Sequence, residues 1–323
     1  MVTNTFNPPQ YIRHPAVQTV LASIGIRKWG FNAMLGSAKN HLLNTGNGIR
    51  LSGYHSPQTK ARPKGLVILL HGWEGSSEST YILSCGRYLY RNGYAVFRLN
   101  FRDHGNSHHL NRGLFYATRL EEVYQGVKKA ARLSGGLPVF LVGFSLGGNF
   151  ALRIAKRCAE AAVDHLKHIV SISPVLDPDR ATDKIDANPF ILSYFIRKWK
   201  KSLALKQRIF SEHYDFNDIL QQASIRKMTE MLLERYSTYP DALTYFRAYG
   251  IYGDDPAGIQ LPTTIITAAD DPIIPIGDFY SLKTAASTDL MVLPNGGHNG
   301  FIEGVFKPAW YDRLMLAIFE KNE

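Results

Sequence analysis

Ser145 sits in Gly143-Phe144-Ser145-Leu146-Gly147-Gly148, directly after the apolar run of residues 138–144. A serine on a strained turn between a buried strand and a helix needs small neighbours two residues to either side, where the backbones close up, and Gly143 and Gly147 supply them. A serine hydroxyl is a poor nucleophile near neutral pH. It needs a histidine to receive its proton and an acid to hold that ring. Both types occur downstream: Asp270-Asp271 follow the apolar run 263–268, and His298 follows the run 291–293 inside Pro294-Asn295-Gly296-Gly297-His298-Asn299-Gly300-Phe301. The order nucleophile, acid, histidine, with each group at a strand end, points to acyl transfer through a covalent intermediate. Asp271 is the expected acid because it directly precedes Pro272-Ile273-Ile274-Pro275, with Asp270 as the alternative. The negative charge that develops on the carbonyl oxygen needs two backbone donors. Leu146, just past the nucleophile, and Trp73, in the loop after residues 65–70, are the expected pair.

The rest of the chain is read as the scaffold for these loops. Residues 41–55 form short antiparallel strands about a turn at Asn47-Gly48. Strands are expected at 65–70, 94–101, 138–144 and 168–173, and helices at 80–90, 118–133 and 149–162. Residues 187–250 then carry aromatics, Lys and Arg at helical spacing with no central-strand pattern, which reads as a helical insertion. Strands resume at 262–268 and 289–293, and an amphipathic helix closes the chain at 309–319. Alternating strands and helices imply an α/β fold, a mainly parallel doubly wound sheet with its site beyond the carboxyl ends of the strands. Residues 1–178 and 257–323 are the expected core, with 1–40 as an entry arm in which Pro8, Pro9 and Pro15 resist regular structure; residues 179–256 are the expected helical cap.

Composition sets outer bounds. The chain has 323 residues, 45% hydrophobic and 20% charged, enough for one large core with an insertion. Its formal charge of +10 speaks to solubility and nonspecific association more than to function, and no nucleic-acid partner is expected. Cys85 and Cys158 sit in apolar helical segments and read as core thiols, so a reducing, cytoplasmic setting without a secretory leader or membrane span is expected. His104, His108 and His109 lack a matching carboxylate or cysteine arrangement; they read as solvated loop histidines, and neither metal nor cofactor is expected. Residues 197–201 with Lys206 and Arg208 read as a solvated cap face, with weak peripheral contact to an anionic membrane as the alternative. Phe190, Ile191, Leu192, Tyr194, Phe195 and Ile196 read as cap core rather than acyl-pocket lining.

Taken together, His14-Pro15-Ala16-Val17-Gln18-Thr19-Val20, His71-Gly72-Trp73-Glu74-Gly75-Ser76-Ser77, Gly143-Phe144-Ser145-Leu146-Gly147-Gly148-Asn149 and Gly296-Gly297-His298-Asn299-Gly300-Phe301 resemble the YheT-like branch of the α/β-hydrolases. That branch is related to eukaryotic membrane-associated hydrolases and yeast medium-chain acyl-ester synthases. The resemblance implies Ser145 as nucleophile, His298 as base and Asp271 as acid, and a serine carboxylesterase acting on short or medium acyl esters. An acyltransferase using the same acyl-enzyme, or a silent lipid-binding relative, are the alternatives. Asn100-Phe101-Arg102-Asp103-His104-Gly105 departs from the branch's usual Arg-Gly-Cys-Ser-Gly-like loop, and the cap shares little beyond residues 236–250, so the resemblance does not carry pocket shape.

Overall fold

The computed structural model describes residues 6–59 and 62–322. The arm contributes helices α1 (Pro15–Ser23) and α2 (Ala33–Gly36), then the hairpin β1 (Lys39–Gly46) and β2 (Ile49–Ser56). Asn47 and Gly48 both take positive φ (50° and 73°), as a two-residue hairpin turn of matching twist requires. β3 (Leu66–Leu70), α3 (Thr80–Arg91), β4 (Ala95–Leu99), α4 (Leu120–Ala131), β5 (Val139–Phe144), α5 (Leu146–Arg157) and β6 (Leu166–Ile172) follow. Four α-helices lie between β6 and the next strand: α6 (Pro178–Asp186), α7 (Pro189–Ile209), α8 (Ile225–Tyr236) and α9 (Ala242–Arg247). The chain ends with β7 (Thr263–Ala268), α10 (Gly277–Tyr280), β8 (Thr288–Leu293) and α11 (Trp310–Glu320).

The eight strands form one sheet in the order β1-β2-β4-β3-β5-β6-β7-β8. The hairpin joins β4 antiparallel, and every pair from β4 to β8 is parallel. β3, β4, β5 and β7 are buried at every position, because helices cover both faces. On one face Ile82, Leu89, Trp310 and Phe319 of α3 and α11 pack on Val67, Val142 and Ile266. On the other, Val123, Val127, Phe150 and Ile154 of α4 and α5 pack on Ile68, Leu141 and Ile265, and the same core continues into α8 and α9.

Pro15 does not hold the arm irregular. It occupies the first turn of α1, where its missing N–H is no loss, and the His14 ring caps the helix by accepting the Ala16 amide. The same device starts two inserted helices: Asp177 caps α6 ahead of Pro178, and Asn188 caps α7 ahead of Pro189.

Candidate active site

Ser145 takes φ 55° and ψ −117°, a conformation costly for an L-residue and held by its surroundings. Its amide donates to the Ile172 carbonyl, and its carbonyl accepts the Asn149 amide in the first turn of α5. Close approach explains the flanking glycines. A Cβ on Gly143 would lie 2.1 Å from the Gly147 carbonyl oxygen, and one on Gly147 would lie 2.4 Å from that of Leu70. The Ser145 hydroxyl makes no hydrogen bond to another described residue.

β7 and β8 deliver the acid and the histidine side by side. Asp271 Oδ2 accepts from His298 Nδ1 at 2.8 Å, while Oδ1 accepts the amides of Ile273 (2.8 Å) and Ile274 (3.0 Å). The Asp271 side chain is wholly buried. Asp270 does something else: its Oδ1 accepts the Gly297 amide at 2.9 Å and ties the histidine loop to the β7 end. Burial raises the Asp270 carboxyl above its ordinary value, and its Oδ2 has no partner among the described residues.

The histidine loop is irregular, with positive φ at Gly296, Gly297, Asn299 and Phe301, and it is held from the far end of the sequence. Thr19 Oγ1 on α1 accepts the His298 amide (2.9 Å), and the Gln18 side chain bonds both the carbonyl and the amide of Ile302. A Cβ on Gly297 would meet the Pro15 carbonyl oxygen at 2.4 Å, so only glycine admits α1 at this distance. Gln18 and Thr19 are positioning residues that reading outward from Ser145 does not reach. Their one signal in the sequence is membership of the 14–20 motif.

The loop after β3 passes directly beside the serine, since a Cβ on Gly72 would stand 3.1 Å from Ser145 Cβ. Three side chains on one face of α7, at i, i+3 and i+4, grip its next two residues. Phe195 stacks on Trp73 with ring centroids 5.3 Å apart, Trp199 meets Trp73 edge-on at 5.1 Å, and Lys198 Nζ donates to the Glu74 carbonyl at 2.9 Å. Glu74 has φ 54°, and its amide donates to His104 Nε2 at 3.1 Å. His104 Nδ1 in turn bonds the Arg102 carbonyl, which requires the proton on Nδ1 and leaves Nε2 as the acceptor. His71 repeats the pattern with Gly72 and Phe101. Burial drives both rings well below the ordinary histidine pKa, His104 to about 4, so they are neutral links between loops.

Two expectations therefore change. His104 and His108 are buried rather than solvated, and only His109 of the three is exposed; His104 is a neutral imidazole held between a carbonyl and an amide, and His108 Nε2 pairs with the Ser202 hydroxyl at 2.8 Å. Lys206 does not belong to a solvated cap face. It is buried, with Nζ donating to Asp103 Oδ1 (2.7 Å) and the Asn111 carbonyl (2.6 Å) and near the carbonyls of His108 and Gly113. Enough acceptors surround the ammonium to offset its loss of water. The apolar stretch opening α7 divides: Ile191 and Leu192 pack against the core, Phe190 is 90% exposed, and Phe195 lines a cavity. Among the described residues no cluster of His, Cys, Asp and Glu could hold a metal, and no helix is long and apolar enough to cross a membrane.

Two compartments meet at Ser145. Beneath α7, α8 and α9 lies an apolar cavity of about 140 Å³, with Leu146, Phe115, Phe195, Leu232 and Phe246 among its walls. On the other side, a more polar open groove of about 390 Å³ holds Ser145 and His298 together with Ser76, Tyr194 and Lys198. Trp73 and Glu74 border both. The structure thus places Ser145, His298 and Trp73 on one groove, with Asp271 buried behind His298 and Leu146 on the wall of the adjoining cavity, and leaves Asp270 as a loop tie.

Residues 65–305 match the family model described as alpha/beta hydrolase fold. YheT of Escherichia coli (strain K12), a provisionally named esterase, is 26% identical over 272 residues, covering 81% of this chain and 77% of that protein. Abhydrolase domain-containing protein 2 of Drosophila melanogaster is 25% identical over 334 residues, covering 94% and 80%. Among solved structures, a Pyrococcus furiosus esterase superposes with a TM-score of 0.54 at 19% identity, over 88% of this chain and 90% of that one. A serine hydrolase of Cycloclasticus zankles gives 0.58 at 16% identity over 88% and 98%, and at these identities both likenesses speak for the fold alone. With the matched span covering most of the chain, the protein belongs to the α/β-hydrolase family, and within it is similar to YheT.

Proposed function

We propose that the protein is a serine carboxylesterase that hydrolyses short- or medium-chain acyl esters with Ser145, His298 and Asp271. The observation that carries this reading is His298, bonded to the buried Asp271, standing in the groove that Ser145 shares, with the strained serine also lining an apolar cavity. His298 Nε2 takes the hydroxyl proton as Ser145 Oγ attacks the ester carbonyl carbon. The Trp73 and Leu146 amides hold the resulting oxyanion, and His298 passes the proton to the departing alcohol. Water then repeats the cycle on the acyl-enzyme and releases the acid. The acyl chain fits the apolar cavity and the alcohol leaves through the polar groove. The Ser145–His298 hydrogen bond forms as substrate binds, since catalytic hydrogen bonds in unliganded sites are often made only in the complex.

An activity-based phosphonate ester carrying a medium alkyl chain tests the assignment. It should label the chain once, with mass spectrometry placing the adduct on Ser145; labelling elsewhere, or none on a protein that turns over esters, rejects it.

Glu74 adds a pH dependence. Burial raises its carboxyl to about 8, against the opposing pull of Lys198 and with a smaller push from Asp103. Below that pH the acid is neutral and does not oppose the oxyanion. Above it, a carboxylate sits on the wall of both compartments that meet at Ser145, where it opposes the developing negative charge, and turnover should fall by roughly tenfold or more. In Glu74→Gln this alkaline decline disappears; a decline that persists unchanged in that variant assigns it to another group.

A further inference from the structure

The charge of this chain is unevenly placed. Residues 1–73 contain no Asp or Glu and eight Lys or Arg, so this segment holds most of the formal charge of +10. The same segment carries large apolar side chains in water: Trp29 is 72% exposed and Phe31 81%, and Phe306 from the loop before α11 is 80% exposed. These three rings line one shallow depression with Arg87, Arg91 and Lys307, and no acidic side chain lines it. Arg87 donates to the Trp29 carbonyl and Arg91 to the Phe31 carbonyl, so the guanidinium groups fix the backbone that presents the rings. Scattered exposed apolar residues need no explanation, but three aromatics gathered on a depression whose charged side chains are all basic do.

We infer that this face docks on an anionic phospholipid bilayer, with Trp29, Phe31 and Phe306 inserted at the headgroup level and the surrounding Arg and Lys against the lipid charge. Aromatic rings favour that depth, and basic side chains beside them add attraction to anionic lipid. Nucleic-acid bases stack on rings that line a groove, whereas Trp29, Phe31 and Phe306 stand largely out in water on a shallow depression, as insertion into a bilayer interface requires. The face is continuous with the groove at Ser145: Lys28 and Ser23 border the groove, and Ile26 and Arg27 border the depression. Docking therefore sets the groove's rim at the bilayer surface. On the esterase reading this presents membrane-dissolved esters to it, while the docking itself does not depend on that reading.

The test is co-sedimentation of the full chain with phosphatidylcholine vesicles and with phosphatidylcholine–phosphatidylserine vesicles, at low and high salt. Binding should appear with phosphatidylserine and weaken as salt rises. The triple variant Trp29→Ser/Phe31→Ser/Phe306→Ser should lose roughly tenfold or more in partitioning, as expected when ring burial is removed. Its melting temperature and turnover of a water-soluble ester should remain those of the parent, since none of the three residues touches Ser145 or His298. Equal binding to neutral vesicles, unchanged binding of the triple variant, or a parent dimer that the triple variant splits without any vesicle binding each overturns the inference. The inactive Ser145→Ala protein should still sediment, so failure of the esterase reading and failure of the docking face give different results.

Discussion

Ser145→Ala should abolish acyl-enzyme formation and lower ester turnover by roughly a million-fold, to what the oxyanion donors and binding alone provide. The change deletes one oxygen whose hydroxyl makes no hydrogen bond to another described residue, so nothing in the fold relies on it. The backbone strain at φ 55° is the same for alanine as for serine. Melting temperature should therefore stay within a degree or two while activity vanishes. Steady-state turnover of a medium-chain ester, with thermal unfolding of both proteins alongside, is the measurement. Equal turnover by the two proteins would remove Ser145 from the chemistry and with it the proposed reaction.

Asp271→Asn should cost roughly four orders of magnitude in turnover. The asparagine oxygen can still receive the amides of Ile273 and Ile274, so the loop keeps its shape. Its NH2 group then faces His298 Nδ1 and donates where the carboxylate accepted. That forces the ring into the tautomer with the proton on Nε2, which cannot take a proton from Ser145, and it withdraws the charge that stabilises the imidazolium. Asp270→Asn leaves an oxygen for the Gly297 amide and should cost at most about tenfold, since it touches only the loop tie. Kinetics of the two variants on one ester give the ranking, and the reverse order would transfer the acid role to Asp270.

Much of this site was legible in the residues alone because each part announces itself locally. Apolar runs of strand length ended in Ser145, Asp271 and His298, and Asn47-Gly48 marked its own turn. Choosing Asp271 over Asp270 rests on its place before Pro272; in the folded chain His298 bonds Asp271, and Asp270 receives the Gly297 amide. What escaped was decided by distant partners. Lys206 reads as one more cation on an exposed helix until Asp103 and three loop carbonyls are folded around it. His104 and His108 look like solvated loop residues until burial holds them neutral. The grip of Phe195, Lys198 and Trp199 on Trp73 and Glu74 joins positions more than a hundred residues apart, and no local spacing encodes it.

The tie between α1 and the histidine loop also constrains the order of assembly. Thr19 and His298 are 279 positions apart, and Gln18 and Ile302 are 284 apart. A chain emerging from the ribosome can complete β1 to β5 and the serine turn early, yet the imidazole stays unsupported until residues 298–302 have emerged and returned to α1. Such long-range closure is entropically slow, so reactivity should be among the final properties that a refolding sample regains, trailing its helical circular dichroism.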